Sequence, residues 1–138
     1  MRSYVDSSVF LRLVLGQGPR LVEWPAITSI VTSRLSRVEC LRVLDRLRLT
    51  GALQARDHAE RRKDVLDLLD RSDVVGVEPY ILDLASDAFP SPIGTLDAIH
   101  LATALAWTRS RGEKVTMATH DRQLSTAAMA AGLDVIGV

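Results

Sequence analysis

The alternation of short apolar, β-branched runs with longer helical patterns is the feature that most constrains the fold of this chain. Short apolar runs bounded by turn residues are typical of buried strands, and apolar residues spaced by three and four are typical of helices. The predicted strands are Ser3–Val5, Ile27–Thr32, Asp73–Val77, Val115–Ala118 and Val135–Val138. The predicted helices are Val9–Leu15, Arg34–Leu49, Asp57–Arg71, Pro79–Ala88, Thr95–Arg109 and Arg122–Ala131. Strands that alternate with helices predict an α/β fold, with a mainly parallel sheet of five strands and helices on both of its faces.

Several helix ends carry signals of their own. Ser33 is the predicted N-cap of the second helix, and Gly51 lies just past the end of that helix. Asp57 and Glu60 have the spacing of a capping box, which predicts the start of the third helix. Thr95 is the predicted N-cap of the fifth helix.

Size and composition predict one globular domain over residues 1–138. The chain is 47% hydrophobic and 25% charged, so it can bury a core without disulfides or a structural metal. Cys40 is the only cysteine, which excludes an intrachain disulfide and a zinc site built from cysteines. No apolar stretch reaches the roughly 18 residues of a membrane span, and the first residues lack the pattern of a signal peptide. We therefore expect a cytoplasmic protein with no membrane partner.

The charges are unevenly distributed although the formal net charge is zero. The segment Arg34–Lys63 carries nine basic and four acidic residues, and fifteen of the seventeen basic residues of the chain are arginines. Arginine forms two-pronged contacts with phosphates, so this segment is a candidate nucleic-acid surface. The alternative is a solvated helix face with no ligand.

Two carboxylates follow predicted strands. Asp6 comes directly after the first strand, and Asp121 comes a few residues after the fourth. The carboxyl ends of parallel strands share one edge of the sheet, where α/β folds bind their ligands. An aspartate before a helix can also be a simple N-cap. That interpretation is stronger for Asp121 than for Asp6, since Ser7 and Ser8 could cap the first helix equally well.

Two further carboxylates interrupt apolar helix faces. Asp97 begins the inward face of the fifth helix, and its place there is not explained by the helix dipole alone. Glu39 lies in the middle of the second helix between Leu35 and Val43, and an ion pair with an arginine such as Arg42 is the alternative explanation.

Four such acids suggest one shared site. Two carboxylates about 4 Å apart repel by about 4 kcal/mol at an effective dielectric constant of about 20, so a cluster must bind protons or a cation. Oxygen ligands suit Mg²⁺ or Mn²⁺, and these ions promote phosphodiester hydrolysis. Beside an arginine-rich segment, this chemistry predicts a metal-dependent nuclease.

Four blocks of the sequence resemble the signature blocks of the PIN-domain family, in the family's order and spacing, and the likeness spans essentially the whole chain. The blocks are Tyr4–Ser8, Thr32–Glu39, Leu96–Ala104 and Thr119–Leu124. The most similar subgroup is the VapC-type ribonuclease toxins of prokaryotic toxin–antitoxin pairs. The resemblance implies a three-layer α/β/α sandwich, an Mg²⁺- or Mn²⁺-dependent endoribonuclease acting on RNA, a homodimer, and a VapB-like antitoxin that blocks the site.

The resemblance also assigns roles to individual residues. It places Asp6, Glu39, Asp97 and Asp121 at the catalytic, metal-binding positions, with Asp6 and Asp97 as the firmest ligands. Two polar residues, Ser8 and Thr119, would support this cluster. Some members carry another acid shortly after the last one, where this chain has Arg122 and Gln123, so a fully occupied second metal site is not expected.

Other function classes fit less well. A phosphotransferase of the haloacid dehalogenase kind needs a second aspartate where Ser8 stands. A receiver domain needs an aspartate at the end of its third strand, where this chain has Gly76-Val77, and a lysine near its last strand, whereas the only lysines here are Lys63 and Lys114. A nucleotide-binding loop should follow a strand, and Gly16-Gln17-Gly18 does not. The main alternative is a catalytically idle PIN-like domain that binds RNA or a protein.

The second helix carries apolar residues around most of its circumference, which predicts burial on more than one side. We expect a groove between the second and third helices that accepts an amphipathic segment of the antitoxin. The alternative is that these two helices bury each other completely.

Overall fold

A parallel β-sheet forms the centre of the protein in a computed structural model, which describes residues 1–138. Five strands lie in the order β3-β2-β1-β4-β5, and every neighbouring pair is parallel. The strands are β1 (Arg2–Val5), β2 (Ser29–Ser33), β3 (Asp73–Val75), β4 (Thr116–Ala118) and β5 (Val135–Ile136). The central strand β1 pairs through Tyr4 with Val31 on one side and with Met117 on the other. The predicted α/β class and the parallel sheet are confirmed.

Six α-helices connect and cover these strands. They are α1 (Ser7–Leu15), α2 (Arg34–Leu49), α3 (Ala55–Asp70), α4 (Pro79–Ala85), α5 (Thr95–Arg111) and α6 (Arg122–Ala130). None of them is both long enough and apolar enough to cross a bilayer.

The two larger of three hydrophobic clusters show that the helices lie on opposite faces of the sheet. Successive residues of a strand point to opposite faces, so Tyr4 and Val5 belong to different cores. Tyr4 packs with residues of α5 and α6, such as Leu101 and Leu124. Val5 packs with residues of α1, α2 and α3, such as Phe10. The arrangement is the expected three-layer α/β/α sandwich.

Helix α5 lies deepest in the protein. All seven residues of the segment 98–104 are buried, because the helix packs against the sheet, α4 and α6. A helix that is covered on several sides needs small or apolar residues around most of its circumference. The polar His100 inside this stretch is therefore unusual, and it is described with the site below.

Some predicted helix starts are wrong. Helix α3 begins at Ala55 without a side-chain cap, so Asp57 and Glu60 form no capping box. Glu60 instead lies 3.5 Å from Arg56 on the same helix. The N-cap of α5 is Gly94 rather than Thr95, because the Gly94 carbonyl already accepts a hydrogen bond from the amide of Ala98. The prediction of Ser33 as the cap of α2 is confirmed, since its Oγ accepts a hydrogen bond from the amide of Leu35.

The expected groove between α2 and α3 is absent. The two helices pack directly against each other, and no α2 residue lines a cavity. The largest cavity, about 420 Å³, lies between the end of α1 and α3, where Leu13, Trp24 and Leu68 contribute to its wall. The predicted position of the groove is therefore wrong, but the two helices do not bury each other completely either, because Val38 and Leu49 of α2 remain exposed.

Candidate active site

The four acids that the sequence singled out come together at the carboxyl edge of the sheet. Asp6 follows β1 directly, and Asp121 lies three residues beyond β4. Asp97 is in the first turn of α5, and Glu39 is in the second turn of α2, which starts where β2 ends. The charges of Asp121, Asp6 and Glu39 all raise the pKa of Asp97. The four carboxylates therefore share one electrostatic neighbourhood.

Asp6 is buried, with only 3% of its surface exposed, and both of its carboxylate oxygens are hydrogen-bonded. Its Oδ1 accepts bonds from the Ser8 amide at 3.1 Å, the Ser8 hydroxyl at 2.6 Å and the Val9 amide at 3.4 Å. Its Oδ2 accepts a bond from the Thr119 hydroxyl at 2.9 Å. Burial raises the pKa of Asp6, and the bonds from Ser8 and Thr119 act in the opposite direction.

Asp6 is also the N-cap of α1, which corrects part of the sequence argument. Ser7 and Ser8 could have capped this helix, yet Ser7 is already its first residue and Ser8 donates to Asp6. Asp6 therefore caps a helix in addition to lying at the carboxyl edge of the sheet. The cap explains why this aspartate is held so rigidly, but a cap needs only one carboxylate oxygen and no burial of the second.

Ser8 and Thr119 tie Asp6 to the loop after β4. The Ser8 hydroxyl accepts a hydrogen bond from the amide of His120 at 2.9 Å. The Thr119 hydroxyl accepts one from the amide of Asp121 at 3.0 Å while it donates to Asp6. These two polar residues therefore fix the relative positions of the Asp6 and Asp121 backbones.

Asp121 is exposed and caps α6, as the simpler of the two sequence interpretations proposed. Its Oδ1 accepts a hydrogen bond from the amide of Leu124 at 2.9 Å. The capping role and a place in the acidic cluster coexist, since the cap uses one of its two oxygens.

Asp97 is a partly exposed acid whose pKa is clearly raised by its surroundings in the site. Burial, followed by the charge of Asp121, raises the pKa of Asp97 to about 6. Asp6 and Glu39 act in the same direction. An unneutralised cluster of this kind has a free-energy cost that a bound cation would remove.

Glu39 does not pair with an arginine. Arg42, the partner suggested by spacing, lies 2.9 Å from Asp45. Glu39 Oε1 instead lies 2.5 Å from Nε2 of His100, which is 61 residues away in the chain. The alternative explanation of Glu39 as half of a helix-surface ion pair is therefore wrong.

His100 and Tyr4 are the contributors to the site that sequence reasoning missed. The sequence pattern predicts no role for either residue, and His100 is buried, with 1% of its surface exposed. Its side chain nevertheless connects Glu39 to Tyr4. One signal could have identified it, because His100 follows Asp97 by three residues and residues three apart share a helix face.

The donor set of the cluster fits a hard divalent cation. All four acids offer only oxygen, and Mg²⁺ typically takes one or two protein carboxylates and keeps several waters. No three acidic, histidine or cysteine side chains stand so that one ion could contact all of them directly. Burial raises the pKa of the Cys40 thiol to about 12, so the single cysteine is neither a ligand nor a nucleophile at neutral pH.

Comparison with known proteins identifies the family. The sequence pattern of the PIN domain matches residues 3–129, which is most of the chain. The chain belongs to the PIN-domain family. The resemblance seen in the four sequence blocks is thereby confirmed.

Two named relatives and two solved structures of other proteins are similar to this PIN-domain protein over most of their length. Ribonuclease VapC46 of Mycobacterium tuberculosis is 34% identical over 96% of this chain and 95% of its own length. Ribonuclease VapC47 of the same species is 31% identical over 88% and 85%, respectively. FitAcB from Neisseria gonorrhoeae superposes with a TM-score of 0.71 at 14% identity, covering 98% of this chain and 96% of that one. VapBC-5 from Mycobacterium tuberculosis, a member of the VapBC toxin–antitoxin family, gives 0.63 at 17% identity over 99% and 98%.

Asp97→Asn is expected to stabilise the metal-free protein at neutral pH. The folded-state pKa of about 6 lies above the ordinary value of 3.8, so the folded state keeps a proton that the unfolded state loses between these values. Stability therefore falls as the pH rises from about 4 to about 6. Removing the charge should restore about 1 kcal/mol above pH 6, a value reduced because solvent screens this partly exposed group.

Urea unfolding in EDTA at pH 4, 5, 6 and 7 measures this effect. Asp134→Asn is the matched control, because Asp134 is exposed and precedes β5 at the opposite edge of the sheet. Equal stability of Asp97→Asn and wild type at pH 7 would show that Asp97 bears no electrostatic cost.

Proposed function

We propose that this PIN-domain protein is a divalent-metal-dependent endoribonuclease and the toxin of a VapBC-type toxin–antitoxin pair. The observation that carries the proposal is the acidic cluster itself. Four carboxylates from four different elements meet at the carboxyl edge, and three of them raise the pKa of the fourth. The relatives named as ribonucleases, similar over nearly their whole length, support the same activity.

Each residue of the cluster has a defined part in this proposal. Asp6 and Asp97 would hold the metal ion most directly, with Mg²⁺ or Mn²⁺ as the expected ions. Glu39 and Asp121 would bind it directly or hold its water ligands. Ser8 and Thr119 keep the Asp6 carboxylate in one orientation, since their hydroxyls donate to different oxygens. When bound, the ion supplies positive charge that stabilises the reacting phosphate and acidifies water.

The shape of the site favours a polymeric substrate. None of the four acids lines any of the three cavities of the protein. The cluster therefore lies on an open edge rather than in a pocket that could enclose a small molecule. A strand of RNA can pass across such an edge, and Arg34, the exposed first residue of α2, follows β2 at this edge.

Metal dependence is the direct test of this function. The protein, incubated with a mixture of RNAs, is expected to cut phosphodiester bonds in Mg²⁺ or Mn²⁺ and to lose that activity in EDTA, with recovery on adding excess metal. The reason is that the repelling carboxylates cannot all stay ionised at one phosphate without a cation. Gel analysis and mapping of the cleaved ends give both the rate and the preferred site.

The result also separates the proposed function from the binding-only alternative. RNA binding without cleavage at any metal concentration would favour an idle PIN-like domain. Cleavage that EDTA leaves unchanged would overturn the metal-dependent mechanism.

The partners implied by this function are a second copy of the chain and a VapB-like antitoxin. The similarity of the fold to VapBC-5, a member of the VapBC family of toxin–antitoxin systems, supports an antitoxin. The cavity between α1 and α3, with Arg61, Asp64 and apolar residues in its wall, is the groove that the structure offers to a segment of it. From there the segment would follow α1 for about 14 Å to reach Asp6, given nine residues at about 1.5 Å each.

Loss of nuclease activity on adding the product of the neighbouring gene, and rescue by Leu68→Asp, would test this placement.

A further inference from the structure

A chain of three polar side chains runs from the core to the acidic cluster. The Tyr4 hydroxyl lies 2.8 Å from Nδ1 of His100, and Nε2 of His100 lies 2.5 Å from Oε1 of Glu39. Tyr4 is fully buried and His100 is 1% exposed. We infer that His100 is a positioning residue, which pins one oxygen of Glu39 so that the other oxygen is presented to the metal. This inference rests on the proposed function.

The protons of the chain can be assigned from its chemistry. An ionised carboxylate has no proton to donate, so Nε2 of His100 must carry the hydrogen that Glu39 accepts. In the neutral ring Nδ1 is then an acceptor, and the Tyr4 hydroxyl must donate to it. The tyrosine thus selects the histidine tautomer, and the tautomer fixes the orientation of the glutamate. Glu39 Oε2 accepts no hydrogen bond from the protein, which leaves it available.

The chain also joins the elements that carry the acids. Tyr4 lies in β1 two residues before Asp6, and residues two apart on an extended chain share a face. His100 lies one turn after Asp97 on α5. The bond from His100 to Glu39 therefore sets the distance between α5 and α2 at the level of the cluster. Glu39 is thereby hydrogen-bonded through His100 to Tyr4, and these two residues belong to the helix that carries Asp97 and the strand that precedes Asp6.

Packing alone does not explain this histidine. It lies in the buried segment 98–104, where an aliphatic side chain would fill the space without losing hydration. A buried ring whose two nitrogens are both satisfied by side chains needs two matched partners, and such networks are costly when one partner is missing. A group that holds a metal-binding carboxylate in place accounts for both bonds.

Binding of Mn²⁺ alone, measured by titration calorimetry on the RNA-free protein, tests the inference. His100→Leu is expected to weaken the affinity by roughly 10- to 100-fold, the usual effect of losing a partner that orients a metal ligand. His100→Gln should recover part of it, because its amide N–H can reach the position of Nε2. Tyr4→Phe, which removes one oxygen and keeps the packing, should weaken binding by a smaller factor, because the tautomer is no longer fixed.

A spectroscopic readout keeps the test decisive if His100→Leu fails to fold. In metal-free wild type, long-range ¹H–¹⁵N spectra should show His100 as the Nε2–H tautomer, and Tyr4→Phe should shift it toward a mixture. The Nδ1–H tautomer in wild type, or a ring with hydrogens on both nitrogens, would overturn the assignment. Wild-type Mn²⁺ affinity in folded His100→Leu would overturn the positioning role while leaving the nuclease function intact. Wild type that neither binds Mn²⁺ nor cuts RNA would overturn the proposed function, together with the role of Glu39 toward the metal.

Discussion

Asp6→Asn is expected to lower the rate of RNA cleavage by more than about 100-fold, above the usual effect of losing a residue that only orients a metal ligand. Asparagine can keep the cap of α1, since its side-chain oxygen accepts from the amides of Ser8 and Val9 as the aspartate does. It cannot keep the negative charge. The second oxygen is replaced by an amide nitrogen, which faces Thr119 and is not a metal ligand. The substitution thus removes the proposed chemistry and retains the fold.

Initial cleavage rates at saturating Mg²⁺, with thermal unfolding followed by circular dichroism, measure both effects. Asp134→Asn again serves as the control, because it removes the same charge at the opposite edge of the sheet. Cleavage by Asp6→Asn within a few-fold of wild type, at unchanged stability, would remove Asp6 from the catalytic centre.

The fold could be predicted from the sequence because its determinants are local. Short β-branched runs alternate with helical patterns, and this alternation implies a parallel sheet with two helical layers. Ser33 gave a correct helix start because its cap bond spans only two residues. The Asp57–Glu60 spacing misled because charged residues on an exposed helix face also follow such spacings, and α3 starts two residues earlier.

The positions of the acids could be predicted for the same reason, but their partners could not. Asp6 was placed at the sheet edge by the strand that precedes it. The contact of Glu39 with His100 joins two helices that are 61 residues apart, and no periodicity within one helix reports on such a pair. Local spacing offered a helix-surface partner such as Arg42, and that arginine is bound to Asp45. Site geometry that depends on packing between elements is therefore beyond single-sequence reasoning.

The structure also divides the basic segment Arg34–Lys63 into two groups. Five of its nine basic residues form ion pairs with acids of the same helix, which is the behaviour of a solvated face. The paired residues are Arg42, Arg48, Arg56, Arg61 and Lys63. Four arginines form no ion pair in the protein, namely Arg34, Arg37, Arg46 and Arg62. Arg34 is the first residue of α2 and so lies at the carboxyl edge, and Arg37 follows it by about one turn.

Replacing Arg34 and Arg37 together by glutamine is expected to flatten the salt dependence of RNA binding. Each phosphate contact on a single strand contributes about 0.7 to the slope of log affinity against log salt, so losing two contacts should reduce the slope by about 1.4. Fluorescence anisotropy with a labelled single-stranded RNA from 50 to 300 mM salt, on the order of the range where counterion release dominates, measures the slope. The Asp6→Asn background keeps the RNA intact during the titration.

The paired arginines provide the matched control for that experiment. Arg42→Gln with Arg56→Gln removes the same two charges, yet both side chains already have a carboxylate partner, Asp45 and Glu60 respectively. Their loss should change the slope by less than half as much, because an arginine that leaves an acid to bind a phosphate exposes a new negative charge nearby. Equal changes in both double variants would mean that RNA senses only the net charge of the segment. A larger change in the control would place the RNA path along the outer face of α2 and α3 instead of across the acidic edge.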